Sequence, residues 1–301
     1  MENQTKKTSR FVSFLWVILA YVVGIYVFSQ VVDYFFMKGT DTIWSIFWAD
    51  IACTIVIFAF SYFFKNTSFY DPYWSIIPIV IVLLLAVRGF TEGLYDETRN
   101  LVIVILVSLW GLRLTWNWIR GWEGLHHIDW RYVMYEKPMG KWFWLFSFGG
   151  LQLLPTILVF LGLLPLFGAM TNAENDWNWL DIVATGIGIM AILMEFFADN
   201  QLRKFRKTNT EKGKSLATGL WKYSRHPNYF GEISFWWALY LFGLAANPDS
   251  WWTIIGALAM TALFHFVSIP MIEKRHLERR EGYSEVIKKV PRWFPWFPKK
   301  S

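Results

Sequence analysis

Long apolar stretches recur along the chain and constrain its fold more than any other feature. A helix needs about 20 mostly apolar residues to cross the hydrocarbon core of a bilayer. Eight stretches of the 301-residue chain meet this need, namely residues 11–32, 43–64, 74–90, 100–120, 142–169, 178–199, 229–247 and 251–272. The sequence therefore predicts an all-α fold, a polytopic transmembrane helical bundle of about eight spans.

Two of these stretches leave alternatives open. The first follows Lys6, Lys7 and Arg10, as the apolar part of a signal peptide would, but it is about 22 residues long and has no clean cleavage site of small residues. We interpret it as a retained membrane anchor. The third stretch is the shortest and contains Pro78, so a re-entrant segment and a total of seven spans is the alternative.

Lysines and arginines alternate sharply in number between the later spans. From the fourth connection to the C-terminal tail they number four, zero, eight, zero and nine. Basic loops stay on the cytoplasmic side of a membrane. The pattern predicts a multi-pass integral membrane protein whose N- and C-termini, with the loops around residues 121–141 and 200–228, face the cytoplasm.

Composition supports a membrane protein and argues against an ordinary soluble domain or a nucleic-acid-binding protein. Charged residues make up 17% of the chain, against about 25% in an average soluble domain. The net charge of +6 lies mostly in loops beside the spans, so membrane lipids rather than nucleic acid are the expected partners. The single cysteine, Cys53, excludes an intrachain disulfide and a cysteine-based metal cluster, and no metal site is predicted.

Polar chemistry concentrates near the ends of the last three spans. Glu195, Asp199, Arg203 and Arg206 follow one another at spacings of four, four and three residues, which places them on one face of a helix that leaves the membrane. A solvated pair between Asp199 and Arg203 is the simpler interpretation of this stripe.

The next loop weakens that simpler interpretation. The run Ser224-Arg225-His226-Pro227-Asn228-Tyr229-Phe230-Gly231-Glu232 leads directly into the seventh span. The stretch from Ile269 to His276 returns a third charged segment to the same side. Together these segments predict a cation-rich mouth that binds anionic groups. A Walker loop, His-Glu-x-x-His and Gly-x-Ser-x-Gly are absent from the sequence.

Five motifs resemble the DUF1295 family, which we place with the steroid 5α-reductase C-terminal superfamily. They are Trp110-Gly111-Leu112-Arg113-Leu114, Asp129-Trp130-Arg131-Tyr132, Ala198-Asp199 with its trailing arginines, the run from Gly219 to Glu232, and Ile269-Pro270-Met271-Ile272-Glu273. The resemblance covers roughly residues 65–298. It divides the chain into N-terminal transmembrane helices, residues 1–64, and a family-like membrane domain, residues 65–301.

The resemblance implies a membrane oxidoreductase that binds NADPH and reduces a carbon–carbon double bond conjugated to a carbonyl in a lipid-like substrate, steroid-like or isoprenoid. Asp199, Arg203 and Arg206 match the family's aspartate and arginines near the cofactor, and Asn228 and Glu232 match its Asn-x-x-Gly-Glu element. The further cofactor residues that matching segments imply are Arg113, Arg225, His226, Glu273, Arg275 and His276. The predicted catalytic residues are Asp71, Tyr229 and Glu232.

The N-terminal spans depart from the steroid reductases. Those enzymes hold the substrate carbonyl with a Gln and Glu pair, which spans one to three lack here. Asp71, just before Trp74, is the predicted replacement. Two alternative functions stay open: an S-adenosylmethionine-dependent methyltransferase of the isoprenylcysteine or phospholipid type, which has a similar Arg-His-Pro-x-Tyr element, and a non-enzymatic lipid-binding membrane protein.

Overall fold

The computed structural model describes residues 8–93, 95–211 and 213–299. Lys6 and Lys7, which precede the first predicted span, and Lys212 and Lys300, which entered the charge pattern, lie outside these ranges. Within the ranges the chain forms helices joined by short connections, and no β-strand is present. The predicted all-α fold class is confirmed.

The described residues form twelve α-helices. They are α1 (Arg10–Met37), α2 (Thr42–Phe63), α3 (Tyr73–Glu92), α4 (Glu97–Gly121), α5 (Trp130–Met139), α6 (Phe143–Phe146), α7 (Leu154–Thr171), α8 (Trp179–Thr208), α9 (Pro227–Ala246), α10 (Ile254–Ala262), α11 (Ile269–Arg279) and α12 (Tyr283–Lys289). The π-helical segments Ser147–Leu153 and Leu263–Ser268 join α6 to α7 and α10 to α11. Four 3-10 segments complete the helical structure: Thr67–Tyr70, Gly140–Trp142, Gly219–Lys222 and Pro248–Thr253.

Seven helical stretches of the described residues are long and apolar enough to cross a membrane. The remaining predicted span, α9, is a helix of 20 residues, which matches the thickness of a bilayer core. It is not one of the seven, and its first turns carry the polar residues Asn228 and Glu232. Pro78 does not interrupt the third predicted span, because α3 continues through it as one helix of 20 residues, and the stretch Thr67–Glu92 is one of the seven.

Short polar side chains set where the long helices begin. Asp41 caps α2 by accepting a hydrogen bond from the amide of Ile43, at 2.8 Å. Asn178 and Asp181 form a reciprocal capping box at the start of α8, which satisfies amides that have no partner within the helix. The 30 residues of α8 give it a length of about 45 Å. This helix is therefore longer than a bilayer core is thick, and its end projects beyond the apolar region.

The chain divides into two compact units. Unit 1 comprises residues 1–91 and 107–160, and unit 2 comprises residues 92–106 and 161–301. The predicted boundary between residues 64 and 65 rests on the family resemblance and stays a prediction.

The core of unit 2 is α9. Thirteen of its 20 residues are buried, among them Phe235, Trp236 and Phe242. Arg99 and Asp181, both fully buried, tie the beginning of α4 to the beginning of α8, with Arg99 Nη2 2.8 Å from Asp181 Oδ2 and Arg99 Nε 2.8 Å from Asp181 Oδ1. Arg99 also donates to the carbonyls of Asn175 and Asp176. The guanidinium thus replaces its lost hydration with charged and neutral acceptors.

Candidate functional site

Unit 2 contains a cavity of about 260 Å³ at the end of α8 and the beginning of α9. Its other walls are α11 and α12. The polar and aromatic side chains that line it are Asp199, Arg206, Ser215, Trp221, Arg225, His226, Asn228, Tyr229, His276, Arg280 and Tyr283. Six of the residues predicted from the sequence to bind a cofactor, and one of the predicted catalytic residues, therefore meet around one cavity.

The first wall of the cavity comes from α8. This helix continues without a break to Thr208, as the stripe of charges predicted. Asp199 and Arg206, seven residues apart, lie on the same face of the helix and line the cavity. Arg203 is half-buried and is not part of the wall. Asp199 is hydrogen-bonded to Asn228, so a solvated pair with Arg203 is not its whole environment.

The second wall is the first turn of α9. Pro227 occupies the first helical position, where its missing amide hydrogen costs nothing. The next residue, Asn228, donates from Nδ2 to Asp199 Oδ1 at 3.2 Å. Gly231 lets the two helices approach here, since a Cβ at this position would lie 2.5 Å from Glu195 Cγ and 2.8 Å from the carbonyl oxygen of Ala191. The glycine of the Asn-x-x-Gly-Glu element thus sets the distance at which Asn228 reaches Asp199.

Glu273 on α11 fixes the loop before α9. Its Oε1 accepts from Arg225 Nε at 2.7 Å and lies 3.1 Å from His226 Nε2, while Arg292 Nε is 3.8 Å from its Oε2. Arg225 also donates to the carbonyls of Ile287 and Val290. Glu273 is not part of the cavity wall, and its role in the structure is to hold the two wall residues.

Aromatic rings form the remaining surface. The rings of His226 and Tyr229 stack at 5.4 Å with an interplanar angle of 10°, and His276 meets Tyr283 edge to face at 5.1 Å. Burial lowers the pKa of His226 below its ordinary value of 6.5, which makes its imidazole neutral at neutral pH. Burial also raises the pKa of Tyr283 to about 12, so that its phenol keeps the proton.

Positive charge is in excess around the cavity. Arg225 is neutralised by Glu273, but Arg206 and Arg280 make no ion pair among the residues that the structure describes. Burial, and Arg206 beside it, lower the pKa of Arg280. Like-charged guanidiniums at one cavity repel each other unless an anion lies between them. Asp199 is the one carboxylate of the described wall, and it accepts from Asn228.

A second, more open groove of about 320 Å³ adjoins this cavity. Arg206 and Arg280 line both spaces, and Arg279 adds a further cation. Lys214 also lines the groove, where it is paired with Glu211 at 2.8 Å. A cavity of about 260 Å³ is small for a complete dinucleotide, because ligand sites measure roughly 300–1,000 Å³. The two spaces together offer more room than the cavity alone, and Arg206 and Arg280 are common to both.

Six predicted site residues do not line the cavity of unit 2: Asp71, Arg113, Arg203, Glu232, Glu273 and Arg275. Glu232 is buried within α9, where its Oε1 accepts from Trp236 Nε1 at 3.0 Å. Arg275 lies on α11 away from the wall, and Arg113 lies in the part of α4 that belongs to unit 1.

Asp71 belongs to unit 1 and has local partners. Its Oδ1 accepts from the hydroxyl of Tyr132 at 2.5 Å and from Arg131 Nη2 at 3.4 Å. Arg131 is also paired with Asp129, which accepts from its Nε at 2.7 Å. The Asp129-Trp130-Arg131-Tyr132 motif therefore supplies the groups that hold Asp71. Its predicted catalytic role stays a prediction.

Four polar or aromatic wall residues were missed from the sequence: Ser215, Trp221, Arg280 and Tyr283. Arg280 and Tyr283 follow His276 by four and seven residues, but α11 ends at Arg279 and Tyr283 begins α12, so helical periodicity does not link them. Trp221 donates from Nε1 to the carbonyl of Ala198 at 3.0 Å. Its place depends on the path of the loop between α8 and α9, which has no helical periodicity.

The fold and the site define a class, the polytopic helical membrane proteins with a cation-rich cavity formed at the ends of their last helices. The model of the family described as "Protein of unknown function (DUF1295)" matches residues 57–290, and the chain belongs to this family. The chain is also 29% identical over 265 residues to the uncharacterized protein C594.04c of Schizosaccharomyces pombe, a match that covers 80% of this chain and 76% of the yeast protein. No solved structure matches the chain.

Proposed function

We propose that this protein is an integral-membrane oxidoreductase that uses NADPH to reduce a carbon–carbon double bond conjugated to a carbonyl, in a lipid-like substrate that is steroid-like or isoprenoid. One observation carries the proposal: Arg206 and Arg280, neither of which makes an ion pair among the described residues, line one cavity with the hydrogen-bonded pair of Asp199 and Asn228. The cavity lies within the segment that matches the family, and that segment resembles the steroid 5α-reductase C-terminal superfamily.

The donor set of this cavity fits a phosphorylated dinucleotide. Arg206 and Arg280 suit phosphate oxygens, because guanidinium groups bind them through two parallel hydrogen bonds. Asp199 is an acceptor for ribose hydroxyls or an amide group, and Asn228 orients its carboxylate. The stacked rings of His226 and Tyr229 provide a flat surface for a heterocycle. Arg279 in the adjoining groove suits an additional phosphate.

When bound, NADPH would supply a hydride to the carbon β to the carbonyl, while a proton is added at the α carbon and the double bond becomes single. The side chains of the protein would bind and orient the reactants. Tyr229 is the predicted catalytic residue that lines the cavity, and we assign its hydroxyl the role of hydrogen-bond donor to the carbonyl oxygen, where negative charge develops. Glu232 has a positioning role, since it lies inside α9 and accepts from Trp236.

The charge of the cavity disfavours the methyltransferase alternative. S-adenosylmethionine carries a sulfonium cation, which two neighbouring guanidiniums would repel. NADPH carries several negative charges and would be attracted. The lipid-binding alternative remains an outcome of the experiment that follows.

The test is thermal unfolding of the detergent-purified full chain with NADPH, NADH or S-adenosylmethionine, because a ligand that binds only the folded state raises the unfolding temperature. We expect NADPH to stabilise the protein and Arg206→Ala to weaken its binding by about 10-fold or more, the loss of one charge-assisted hydrogen bond. Lys207→Ala is the matched control: it removes an exposed cation next to Arg206 that does not line the cavity.

Stabilisation by S-adenosylmethionine alone would replace the reductase with a methyltransferase. No stabilisation by any of the three would leave the lipid-binding protein. An equal loss with Lys207→Ala and Arg206→Ala would mean that NADPH is attracted by general charge and not bound in the cavity.

A further inference from the structure

Unit 1 contains a chain of five buried polar side chains that the proposed cofactor site does not use. Tyr70 Oη lies 2.7 Å from Thr156 Oγ1, which lies 2.9 Å from Thr54 Oγ1. Thr54 lies 3.0 Å from Tyr73 Oη, which donates to Asp50 Oδ1 at 2.7 Å. Each of the five is at most 4% exposed. Asp50 and Thr54 lie near the middle of α2. The five hydrogen-bonded side chains therefore lie inside the membrane-spanning region.

The hydroxyl groups of this chain satisfy one another. Thr156 also donates to the main-chain carbonyl of Gln152 at 3.0 Å, and Thr54 has the carbonyl of Asp50 as a further acceptor at 2.9 Å. Every hydroxyl proton therefore has an acceptor without help from another molecule. The neighbouring side chain of Gln152 differs from these hydroxyl groups in its hydrogen bonding.

Gln152 is fully buried, and both its amide nitrogen and its amide oxygen lack a hydrogen-bond partner. In the part of the chain that the structure describes, it is the one buried side chain of which two polar atoms are unpartnered. A buried polar group without a partner is costly, and leucine or methionine would fill similar space without that cost. The amide is therefore expected to bind a group that does not belong to the protein.

The local backbone also departs from regular structure at this point. Gln152 lies in the π-helical segment Ser147–Leu153, and π-helical turns occur frequently at functional sites. Thr156 follows Gln152 by four residues, so the two side chains share a helix face. The unpartnered amide thus lies one turn from the end of the hydroxyl chain at Tyr70 and Thr156.

We propose that Gln152, with Tyr70 and Thr156 beside it, is a binding site within the membrane for the neutral oxygen-bearing end of a lipid-like molecule, a carbonyl or a hydroxyl. An amide offers both a donor and an acceptor, so it suits either of these groups. An uncharged ligand is indicated because the group enters an apolar region, where an ion would lose its hydration. This inference does not rest on NADPH binding, which concerns unit 2.

The test measures thermal unfolding of the detergent-purified full chain with three probes of equal length: pentadecanone, pentadecanol and pentadecane. We expect the ketone and the alcohol to stabilise the protein and the alkane to have no effect. Gln152→Met, which is close in size, is expected to fold and to weaken ketone binding by about 10-fold, the loss of one net hydrogen bond. Gln152→Leu provides a second variant in case the first packs poorly.

The control is Tyr21→Phe. Tyr21 is another buried tyrosine of unit 1, but its hydroxyl donates to the carbonyl of Phe69 at 2.9 Å and is outside the hydroxyl chain. The Tyr21→Phe variant is expected to be stabilised by the ketone and not by the alkane, as the wild-type protein is. If wild-type protein responds equally to all three probes, Gln152 binds only an internal water and the proposal is wrong. It is equally wrong if both Gln152 variants keep the ketone response. A missing NADPH response would leave this proposal unaffected.

Discussion

Gly231 offers the sharpest test of how the cavity of unit 2 is built. In Gly231→Ala the new methyl group would lie 2.5 Å from Glu195 Cγ and 2.8 Å from the carbonyl oxygen of Ala191. Ordinary contacts begin at 3.4 Å, so α8 and α9 would have to separate by roughly 1 Å. The main-chain carbonyl of a helix cannot turn aside as a flexible side chain can. Overpacking of this kind costs about 1–3 kcal/mol of folding free energy.

Moving α8 and α9 apart would also change the geometry of the ligand site. Asn228 precedes Gly231 by three residues, one helical turn, and its hydrogen bond to Asp199 is already 3.2 Å long. A further 0.5 Å or so would exceed the length of a protein hydrogen bond. We therefore expect Gly231→Ala to lower the unfolding temperature by several degrees and also to weaken NADPH binding, although the residue does not line the cavity.

Gly186→Ala on α8 is the matched control. A Cβ at Gly186 would have no neighbour within 4 Å, so the substitution changes only backbone freedom and is expected to stabilise the protein by up to about 1 kcal/mol. Both variants are measured by thermal unfolding of the purified protein with and without NADPH. Wild-type stability and wild-type NADPH binding in Gly231→Ala would refute the close approach of α8 and α9 described above.

Two further predictions concern stability. Arg99→Met is expected to cost about 3–5 kcal/mol, because it leaves Asp181 buried and charged without its partner; thermal unfolding measures this, and a cost below about 1 kcal/mol would mean that water reaches Asp181. Burial lowers the pKa of His226 in the folded state below 6.5, so between these two pKa values only the unfolded chain takes up a proton. The contribution of the buried, neutral His226 to the free energy of unfolding is therefore fully present above about pH 6.5 and is lost as the pH falls below that value. His226→Gln should flatten the fall of unfolding temperature between about pH 7.5 and 5.5, and an unchanged slope would assign that fall to other groups.

Some features follow from the order of residues alone. A run of about 20 apolar residues specifies a spanning helix whatever its neighbours are, because the main chain must satisfy its own hydrogen bonds in lipid. The membrane helices, the unbroken course of α8 and the start of α9 at Pro227 are local properties of this kind. The stripe of Asp199 and Arg206 was also visible from spacing, since helical periodicity assigns residues to a face.

What periodicity does not determine is which part of a face meets another helix. Arg203 and Arg206 belong to the same predicted stripe, yet only Arg206 lines the cavity. Glu232 shares α9 with Asn228, but its carboxylate is buried beside Trp236. These outcomes depend on the rotation of α9 against α8, which close contact at Gly231 sets.

The sequence by itself determined the helical membrane fold, the family-like motifs and the cluster of charges around the final helices. Only the tertiary structure decided that Arg280 and Tyr283 join Asp199 and Arg206, that Glu273 holds Arg225 and His226, and that Gln152 keeps an unpartnered amide. The physical reason is distance along the sequence. Hydropathy and helix spacing are properties of segments of about 20 residues, whereas ion pairing and burial depend on side chains that are dozens of residues apart in the chain.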